Sequence, residues 1–374
     1  MALARHIRNC PLRSLDLSKN RITDVGVGAL ANALPASKLQ VLDLSSQFIG
    51  DKGAGALAEA LLKGSRLYDL RLHGNDVHLA GATSLAAALS TGVPLKRLSL
   101  TINLPSNGAL EALANALPKS QLLSLELKIL SVQCGGVAAL AKELPRSQLQ
   151  SLRLNLPLNE RSCAEEITAF AKAVPSSKLT NLNTQWSKVI RVGGAQALEA
   201  ALQKLHWFDM SSLNAEQLKL AANVLPNSSV TRLTRDISMQ TPGAIEAISQ
   251  ILEDSQTKIE ELDLGVQGDL LASEVLALLT ALPRSKLTTL AMPRVPWNFQ
   301  LASAFRKALS SPSSHVRYVY FFCHPNSLIL TQHVRDVLVE ACSHAICTRH
   351  PMHAQSWLWK QGLEWDGTRG AEKK

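Results

Sequence analysis

Aromatic side chains are scarce in this 374-residue chain, at 4% of the sequence. Hydrophobic residues nonetheless reach 46% and charged residues only 18%, which is too apolar for a disordered chain. Leucine, alanine, valine and isoleucine must therefore supply the core. A core of small and aliphatic side chains favours thin, regular packing layers over one deep globular centre.

Long apolar runs and a cysteine framework are also lacking. No run approaches the roughly 18 residues that a membrane span needs, and residues 1–6 lack the long apolar core of a signal peptide. The six cysteines, at positions 10, 134, 163, 323, 342 and 347, show no paired spacing, which favours a reducing compartment. We predict a cytoplasmic location, in the producing cell or, for an effector, in a host cell.

Positive charge is in excess, but the basic residues do not cluster in any one stretch of the sequence. The formal net charge is +9, yet no run of five basic residues occurs, and residues 241–300 are acidic overall. This pattern is typical of solvating charge. It favours a protein partner over nucleic acid.

A leucine pattern that recurs about every 28 residues is the dominant feature of the sequence. Leu12-x-x-Leu15-x-Leu17 is the first copy, and later copies begin after spacings of 25 to 30 residues. The twelve copies begin at Leu12, Leu39, Leu67, Leu95, Leu122, Leu149, Leu179, Leu205, Val230, Ile259, Leu287 and Val316. Such a period predicts a repeat array.

Each copy predicts one strand followed by one helix. Alternating leucines indicate a short strand with one buried face, and segments such as 27–34 and 54–61 are amphipathic helices. Asn20, Asn75 and Asn103 follow their strands, where an amide can satisfy backbone groups as the chain turns. Arg235 stands where a leucine is expected, so we expect it either to reach solvent or to distort its repeat.

Stacked units of this kind predict an α/β leucine-rich-repeat solenoid of about twelve repeats. We expect a horseshoe with a concave parallel β-sheet and convex helices. The predicted boundaries are 1–11 for an N-terminal cap or partial repeat, 12–325 for the array, 326–350 for a C-terminal capping helix, and 351–374 for a polar, flexible tail.

These residues resemble the ribonuclease-inhibitor-like class of leucine-rich repeats over about residues 2–325. That class includes ribonuclease inhibitor, nucleotide-binding innate immune receptors and the Ran GTPase-activating protein. The words Gly28-Ala29-Leu30-Ala31 and Gly55-Ala56-Leu57-Ala58 are similar to those of bacterial effectors called GALA proteins. In that family an F-box precedes the repeats, whereas only eleven residues precede the first strand of this chain.

Two patterns resemble ligand sites. Gly26-x-Gly28 and Gly53-x-Gly55 match part of a dinucleotide fingerprint, but they recur with the repeat and stand too far from the strand. We interpret them as packing features and predict no cofactor. The tract from Cys342 to His353 contains cysteines and histidines, although its spacing fits no strong zinc pattern. We predict no metal site.

The concave face is the remaining candidate site, because the residues between the strand leucines point into it. Arginine and aromatic side chains commonly anchor protein interfaces. The predicted partner-binding residues are Arg71, Arg97, Arg153, Trp207, Arg232, Tyr318 and Tyr320. We predict a non-catalytic protein–protein interaction module with no small-molecule substrate, such as the recognition part of a bacterial effector or receptor. The alternatives are a Ran-type GTPase-activating protein and a salt-sensitive binder of RNA or anionic membrane.

Overall fold

The chain divides into two compact units, residues 1–205 and 206–374. The computed structural model describes residues 2–8, 10–103, 107–129, 134–155, 163–235, 243–265, 270–293, 295–321, 336–338, 340–341 and 346–349. Both units repeat the same strand–helix element, which is the α/β leucine-rich-repeat fold that the leucine period predicts.

The first unit contains a parallel sheet in which each strand pairs with the next along the chain. Its strands are β1 (Ser14–Asp16), β2 (Val41–Asp43), β3 (Asp69–Val77), β4 (Arg97–Ile102), β5 (Ser124–Ile129), β6 (Ser151–Asn155) and β7 (Asn181–Asn183). Its helices are α1 (Ala2–Ile7), α2 (Asp24–Ala31), α3 (Asp51–Leu62), α4 (Leu79–Ser90), α5 (Asn107–Ala116), α6 (Cys134–Glu143), α7 (Ala164–Ala173) and α8 (Trp186–Leu202).

The second unit repeats this arrangement, again with parallel neighbours. Its strands are β8 (Trp207–Asp209), β9 (Arg232–Thr234), β10 (Glu261–Asp263), β11 (Thr289–Met292), β12 (Tyr318–Phe321) and β13 (Ile346–Arg349). Its helices are α9 (Ala215–Val224), α10 (Ala244–Glu253), α11 (Ala272–Ala281) and α12 (Phe299–Ser310).

The predicted leucine positions form the core of both units. Leu42, Leu70 and Leu98, at the centres of consecutive strands, are at most 2% exposed. The register pairs each central leucine with its equivalent in the next repeat. The leucine alternation therefore buries one face of each strand and leaves the flanking positions on an open face.

Buried side-chain amides close the turns after the early strands. Asn75 Oδ1 accepts hydrogen bonds from Gln47 N at 2.8 Å and Ile49 N at 3.1 Å. Its Nδ2 donates to Leu44 O at 2.8 Å and Leu72 O at 3.0 Å. The predicted backbone role of Asn75 is confirmed, because one side chain satisfies groups of two repeats.

A buried serine stabilises the opposite turn, between helix and strand. Ser37 Oγ donates to Leu34 O at 2.8 Å, and Leu39 N donates to Ser37 Oγ at 3.3 Å. Pro35 lies in the short 3-10 turn between helix and serine. The same Leu-Pro-x-Ser turn recurs at 117–120, 144–147, 225–228 and 282–285.

An aspartate at the start of one helix caps the next helix. Asp24 Oδ1 accepts hydrogen bonds from Gly50 N at 2.8 Å and Gly53 N at 3.0 Å. Asp51 in α3 makes the equivalent bonds to the start of α4. Gly53 admits the carboxylate because a Cβ at that position would lie 2.6 Å from Asp24 Oδ1. Packing between repeats therefore explains the recurring glycine pattern.

We expect the two glycines of α3 to respond oppositely to alanine. Gly53→Ala should lower the free energy of unfolding by about 1–3 kcal/mol, because the new Cβ meets Asp24 Oδ1 and Ile49 Cγ2, both at 2.6 Å. Gly55→Ala should raise it by up to about 1 kcal/mol, because its Cβ meets only Ser84 Oγ, at 3.9 Å. Urea unfolding followed by circular dichroism measures both, and equal effects would contradict the packing role of Gly53.

Of the two outcomes expected for Arg235, exposure to solvent is wrong: the side chain is buried, and the preceding strand β9 pairs with β8 and β10. Arg235 is 1% exposed, and its backbone N donates to Asp263 O at 2.8 Å. Its Nη1 donates to Met210 O at 2.9 Å and Leu213 O at 3.2 Å. Burial lowers the pKa of Arg235, and the nearby Asp209 carboxylate opposes that shift. Two carbonyls of the preceding repeat therefore hold the cation in place of a leucine contact.

The interpretation that the cysteines are unpaired is also wrong. Cys134, at the start of α6, forms a disulfide with Cys163, directly before α7. Their separation of 29 residues is about one repeat, so stacking brings them to equivalent places on neighbouring repeats. A disulfide persists best outside reducing compartments. It therefore weakens the argument for a cytoplasmic location.

The predicted C-terminal helix, 326–350, contains a strand near its end. Residues 336–338 and 340–341 are helical, but Ile346–Arg349 form β13, parallel to β12. Tyr318 pairs with Ile346, an offset of one repeat. The strand lacks the Leu-x-Leu pattern, which is why the sequence did not reveal it. The predicted tail, 351–374, lies outside the described residues.

No helix in the described part of the chain is long and apolar enough to cross a bilayer.

Candidate functional site on the open sheet face

The open face carries the side chains on either side of each strand's central residue. In the first unit its central feature is Asp69, whose side chain is only 3% exposed. Arg71 Nη2 lies 3.1 Å and Arg97 Nη2 lies 3.0 Å from Asp69 Oδ2. A carboxylate buried between two cations is well compensated, because each charge offsets the desolvation of the other.

Two further side chains extend this arrangement. Arg71 Nη1 lies 3.6 Å from Asp43 Oδ2 on β2, and the Arg97 guanidinium lies 5.4 Å from the centre of the Tyr68 ring. We call Asp43, Tyr68, Asp69, Arg71 and Arg97 the Asp69 cluster. The hydrogen bond to Asp69 raises the pKa of Arg71 above its ordinary value. Both arginine side chains remain about half exposed, at 46% and 50%.

The strand register explains why the cluster forms. Asp43 and Arg71 are register partners on β2 and β3, and Asp69 and Arg97 are partners on β3 and β4. Each pair is separated by one 28-residue repeat, which places its members side by side at strand spacing. The sequence predicted the arginines as binding residues but did not pair them with these carboxylates. The offset of one period was the signal that could have found them.

Arg153 lies apart from the Asp69 cluster, two strands beyond β4. Its Nη1 is 3.2 Å from Glu126 Oε1 on the neighbouring strand β5. Both side chains are about half exposed, so this pair contributes little to stability. The structure therefore brings Arg71 and Arg97 together but does not add Arg153 to them.

The second unit holds the remaining four predicted residues. Trp207 and Arg232 are register partners on β8 and β9. Trp207 Nε1 donates to Thr234 Oγ1 at 2.9 Å, whereas Arg232 Nε lies 3.5 Å from Glu261 Oε2. These contacts fix an aromatic ring and a guanidinium side by side on the open face.

Tyr318 and Tyr320 flank the central residue of β12, Val319. Tyr318 is 42% exposed, and Tyr320 is half-buried. Their register partners on β11 are the smaller Thr289 and Ala291. This places both tyrosines on the open face of the second unit.

The described residues give little support to a metal site or a catalytic site. There, no three His, Cys, Asp or Glu side chains converge as a metal site. Of the tract 342–353, only the strand backbone of 346–349 is described. The first unit also contains a hydrogen bond of 2.8 Å between Ser45 Oγ and His73 Nδ1, but Ser45 is 2% exposed and cannot meet a substrate.

Comparison with known proteins finds leucine-rich repeats in the first part of the chain. A family model described as leucine-rich repeat matches residues 8–31 and 36–58. The chain is similar to one in a crystal structure of the Rad7 and Elc1 complex in yeast, with a TM-score of 0.48, 18% identity, and coverage of 91% of this chain and 79% of that chain. It is also similar to an internalin, InlF, from Listeria monocytogenes, with a TM-score of 0.38, 13% identity, and coverage of 90% and 87%. No curated protein matches.

The leucine period and the repeated strand–helix units agree with the matched repeats. The described part of the chain therefore has the α/β leucine-rich-repeat fold. Solenoid arrays of this kind generally present extended surfaces that bind other proteins.

Proposed function

We propose that the chain is a non-catalytic protein-binding module whose open sheet face carries the binding site. The observation that supports this best is the Asp69 cluster. Its two arginines are fixed by a buried carboxylate and still expose about half of each side chain. Fixed arginines lose less conformational entropy when a partner binds, so they can anchor an interface at lower cost.

The paired charges indicate the chemistry of the partner. The Asp69 cluster contains two arginines and two aspartates, so its formal charge is zero. A guanidinium has five N–H donors, and those not used by Asp69 and Asp43 can donate to a partner's carbonyl or carboxylate oxygens. The partner surface would therefore offer hydrogen-bond acceptors and an aromatic or aliphatic contact for Tyr68.

The second unit offers a further anchor on its own open face. Trp207 and Arg232 combine a large ring with a guanidinium, which are the side chains that most often dominate interfaces. The same reasoning applies to Tyr318 and Tyr320. We propose the seven residues predicted from the sequence as binding residues. In the first unit they are the pair Arg71 and Arg97 and, separately, Arg153. In the second unit they are the pair Trp207 and Arg232 and the pair Tyr318 and Tyr320.

Finer assignments rest on the resemblance of the repeats. These are membership of the ribonuclease-inhibitor-like class, kinship with GALA effectors, and a role as the recognition part of an effector or receptor in a cytoplasm. A Ran-type GTPase-activating role is an alternative without a specific contact in its favour among the described residues. A GTP-hydrolysis assay with Ran that shows no stimulation would exclude it.

Substitution of the Asp69 cluster tests the proposal. We expect the double variants Arg71→Ala/Arg97→Ala and Trp207→Ala/Arg232→Ala each to capture at least about tenfold less of the partner protein than wild type does. The reason is that truncating an interface anchor costs about 2 kcal/mol or more. The measurement is affinity capture with cross-linking and quantitative mass spectrometry, using wild type and variants in parallel.

The matched control is Arg66→Ala/Arg146→Ala, which removes two exposed arginines from turns outside the open face. Because Asp69 is buried, Arg71→Lys/Arg97→Lys keeps the charge while removing the guanidinium geometry, and it separates binding from folding. Variants with the wild-type unfolding midpoint that capture the same proteins as wild type would refute the open-face site.

A further inference from the structure

The first unit gathers basic side chains at the edge where its strands begin. Parallel strands with matched register place all their amino ends at one side of the sheet. We call the nine residues that directly precede each of these seven strands the amino edge. They are 5–13, 32–40, 60–68, 88–96, 115–123, 142–150 and 172–180, and all but residue 9 are described.

Charge is strongly segregated onto this edge. Residues 1–180 contain 20 Lys and Arg and 13 Asp and Glu, of which the amino edge holds twelve and one. The single acid is Glu143. The basic residues are Arg5, Arg8, Arg13, Lys38, Lys63, Arg66, Lys96, Lys119, Lys142, Arg146, Lys172 and Lys178.

These cations are available to a partner. All twelve except the half-buried Lys96 are exposed. Within the described residues, ion pairs with carboxylates form only at Lys63, Lys142 and Arg146. The amino edge therefore combines high positive charge with little internal compensation.

Helix dipoles explain only part of this arrangement. Basic residues near helix C-termini are favourable, and helices α1 to α7 end at the amino edge. Lys38, Arg66 and Lys96, however, lie after the helix, on the approach to the strand. Four segments of the second unit, those that precede β9 to β12, are equivalent to the amino edge; 223–231, 252–260, 280–288 and 309–317 together hold four basic and three acidic residues. The same fold thus forms without a basic edge.

We propose that the amino edge of the first unit binds the surface of anionic lipid bilayers. Its strand starts are level, and its cations extend from helix ends such as Lys142 to strand starts such as Arg13, so the charge covers an area rather than a line. Seven strands at about 4.8 Å spacing span roughly 30 Å. Basic residues held near an anionic leaflet gain electrostatic attraction that falls off within a Debye length.

Exposed leucines favour lipid over nucleic acid as the occupant. Leu12, Leu62 and Leu123 lie on the amino edge and are 40%, 53% and 37% exposed. Apolar side chains among cations are typical of surfaces that enter the headgroup region. Single-stranded nucleic acids instead require aromatic platforms for their bases. Tyr68 is the one Phe, Trp or Tyr on this edge, and its ring already contacts Arg97.

Vesicle binding of two charge-matched variants tests this inference. Lys38→Gln/Arg66→Gln/Lys119→Gln/Lys172→Gln removes four exposed cations from the amino edge. Lys19→Gln/Arg21→Gln/Lys52→Gln/Lys128→Gln removes three lysines and one arginine that are exposed elsewhere on the same unit. The probes are vesicles of phosphatidylcholine alone and of phosphatidylcholine with about one third phosphatidylserine, analysed by flotation.

The wild-type chain should float with the anionic vesicles at about 0.1 M salt and be released by about 0.5 M. The amino-edge variant should lose at least about tenfold in partitioning, whereas the control should stay within about twofold of wild type.

Failure of wild type to bind, or equal losses in both variants, would overturn the proposal. Binding to RNA without binding to anionic vesicles would assign the edge to nucleic acid instead. Both variants leave the five residues of the Asp69 cluster unchanged, so a loss of vesicle binding can be distinguished from a loss of that cluster.

Discussion

Replacing Arg235 by alanine should lower the free energy of unfolding of the second unit by about 3 kcal/mol. The substitution removes the Nη1 bonds to Met210 O and Leu213 O from a site that is 1% exposed. It also leaves a cavity the size of a long side chain, which adds to the loss. Urea unfolding followed by circular dichroism measures the change.

Two further variants separate the causes of this loss. Arg235→Leu refills the volume with the residue that most other repeats have at this position. Its loss of stability should therefore be smaller than that of Arg235→Ala and should reflect only the two carbonyls that lose their donor. Arg232→Ala removes an arginine that is 51% exposed and should cost less than about 1 kcal/mol. Losses of similar size at positions 235 and 232 would show that the Arg235 bonds do not stabilise the unit.

Replacing Asn75 by alanine should destabilise the first unit by a similar amount, about 3 kcal/mol. Asn75 is 4% exposed and makes four hydrogen bonds to the backbone. Without its amide, the N–H groups of Gln47 and Ile49 lose their acceptor inside the stack, and buried unpaired donors are costly. The measurement is again the urea-unfolding free energy.

Asn20 provides the matched control, because it occupies the same place in the first repeat. Its Nδ2 donates to Leu17 O at 2.8 Å and Ser18 O at 3.1 Å, but the residue is exposed, so water can replace both bonds. Asn20→Ala should therefore cost less than about 1 kcal/mol. If it cost as much as Asn75→Ala, burial would not be the reason for the stability that Asn75 contributes.

The candidate surfaces differ in what their substitutions should change. The Asp69 cluster has neutral formal charge, so loss of its guanidinium groups should affect one specific partner with modest salt dependence. The amino edge carries twelve cations and one acid, so its binding should depend steeply on salt. Protein capture therefore tests the open-face site and vesicle flotation tests the amino edge, so each proposal can be refuted without the other.

The sequence by itself determined the repeat, its period, the strand centres and the class of fold. Leu42, Leu70 and Leu98 could be assigned to the core because alternation within a strand is a local pattern. The amide of Asn75 could be assigned to the turn because it follows the strand at a fixed position in the repeat. The predicted arginines lie on the open face, as their position in the strand indicated, and their role in binding stays a prediction.

Only the tertiary structure decided which residues from different repeats meet. Asp69 and Arg97, and likewise Cys134 and Cys163, lie about one repeat apart in the chain but side by side in the stack. The basic excess looked evenly spread along the sequence because each repeat contributes only one to three cations. Stacking places those cations on one edge. Arg235 is buried for a similar reason, since its acceptors, Met210 O and Leu213 O, belong to the preceding repeat and are not recognisable from its neighbours in sequence.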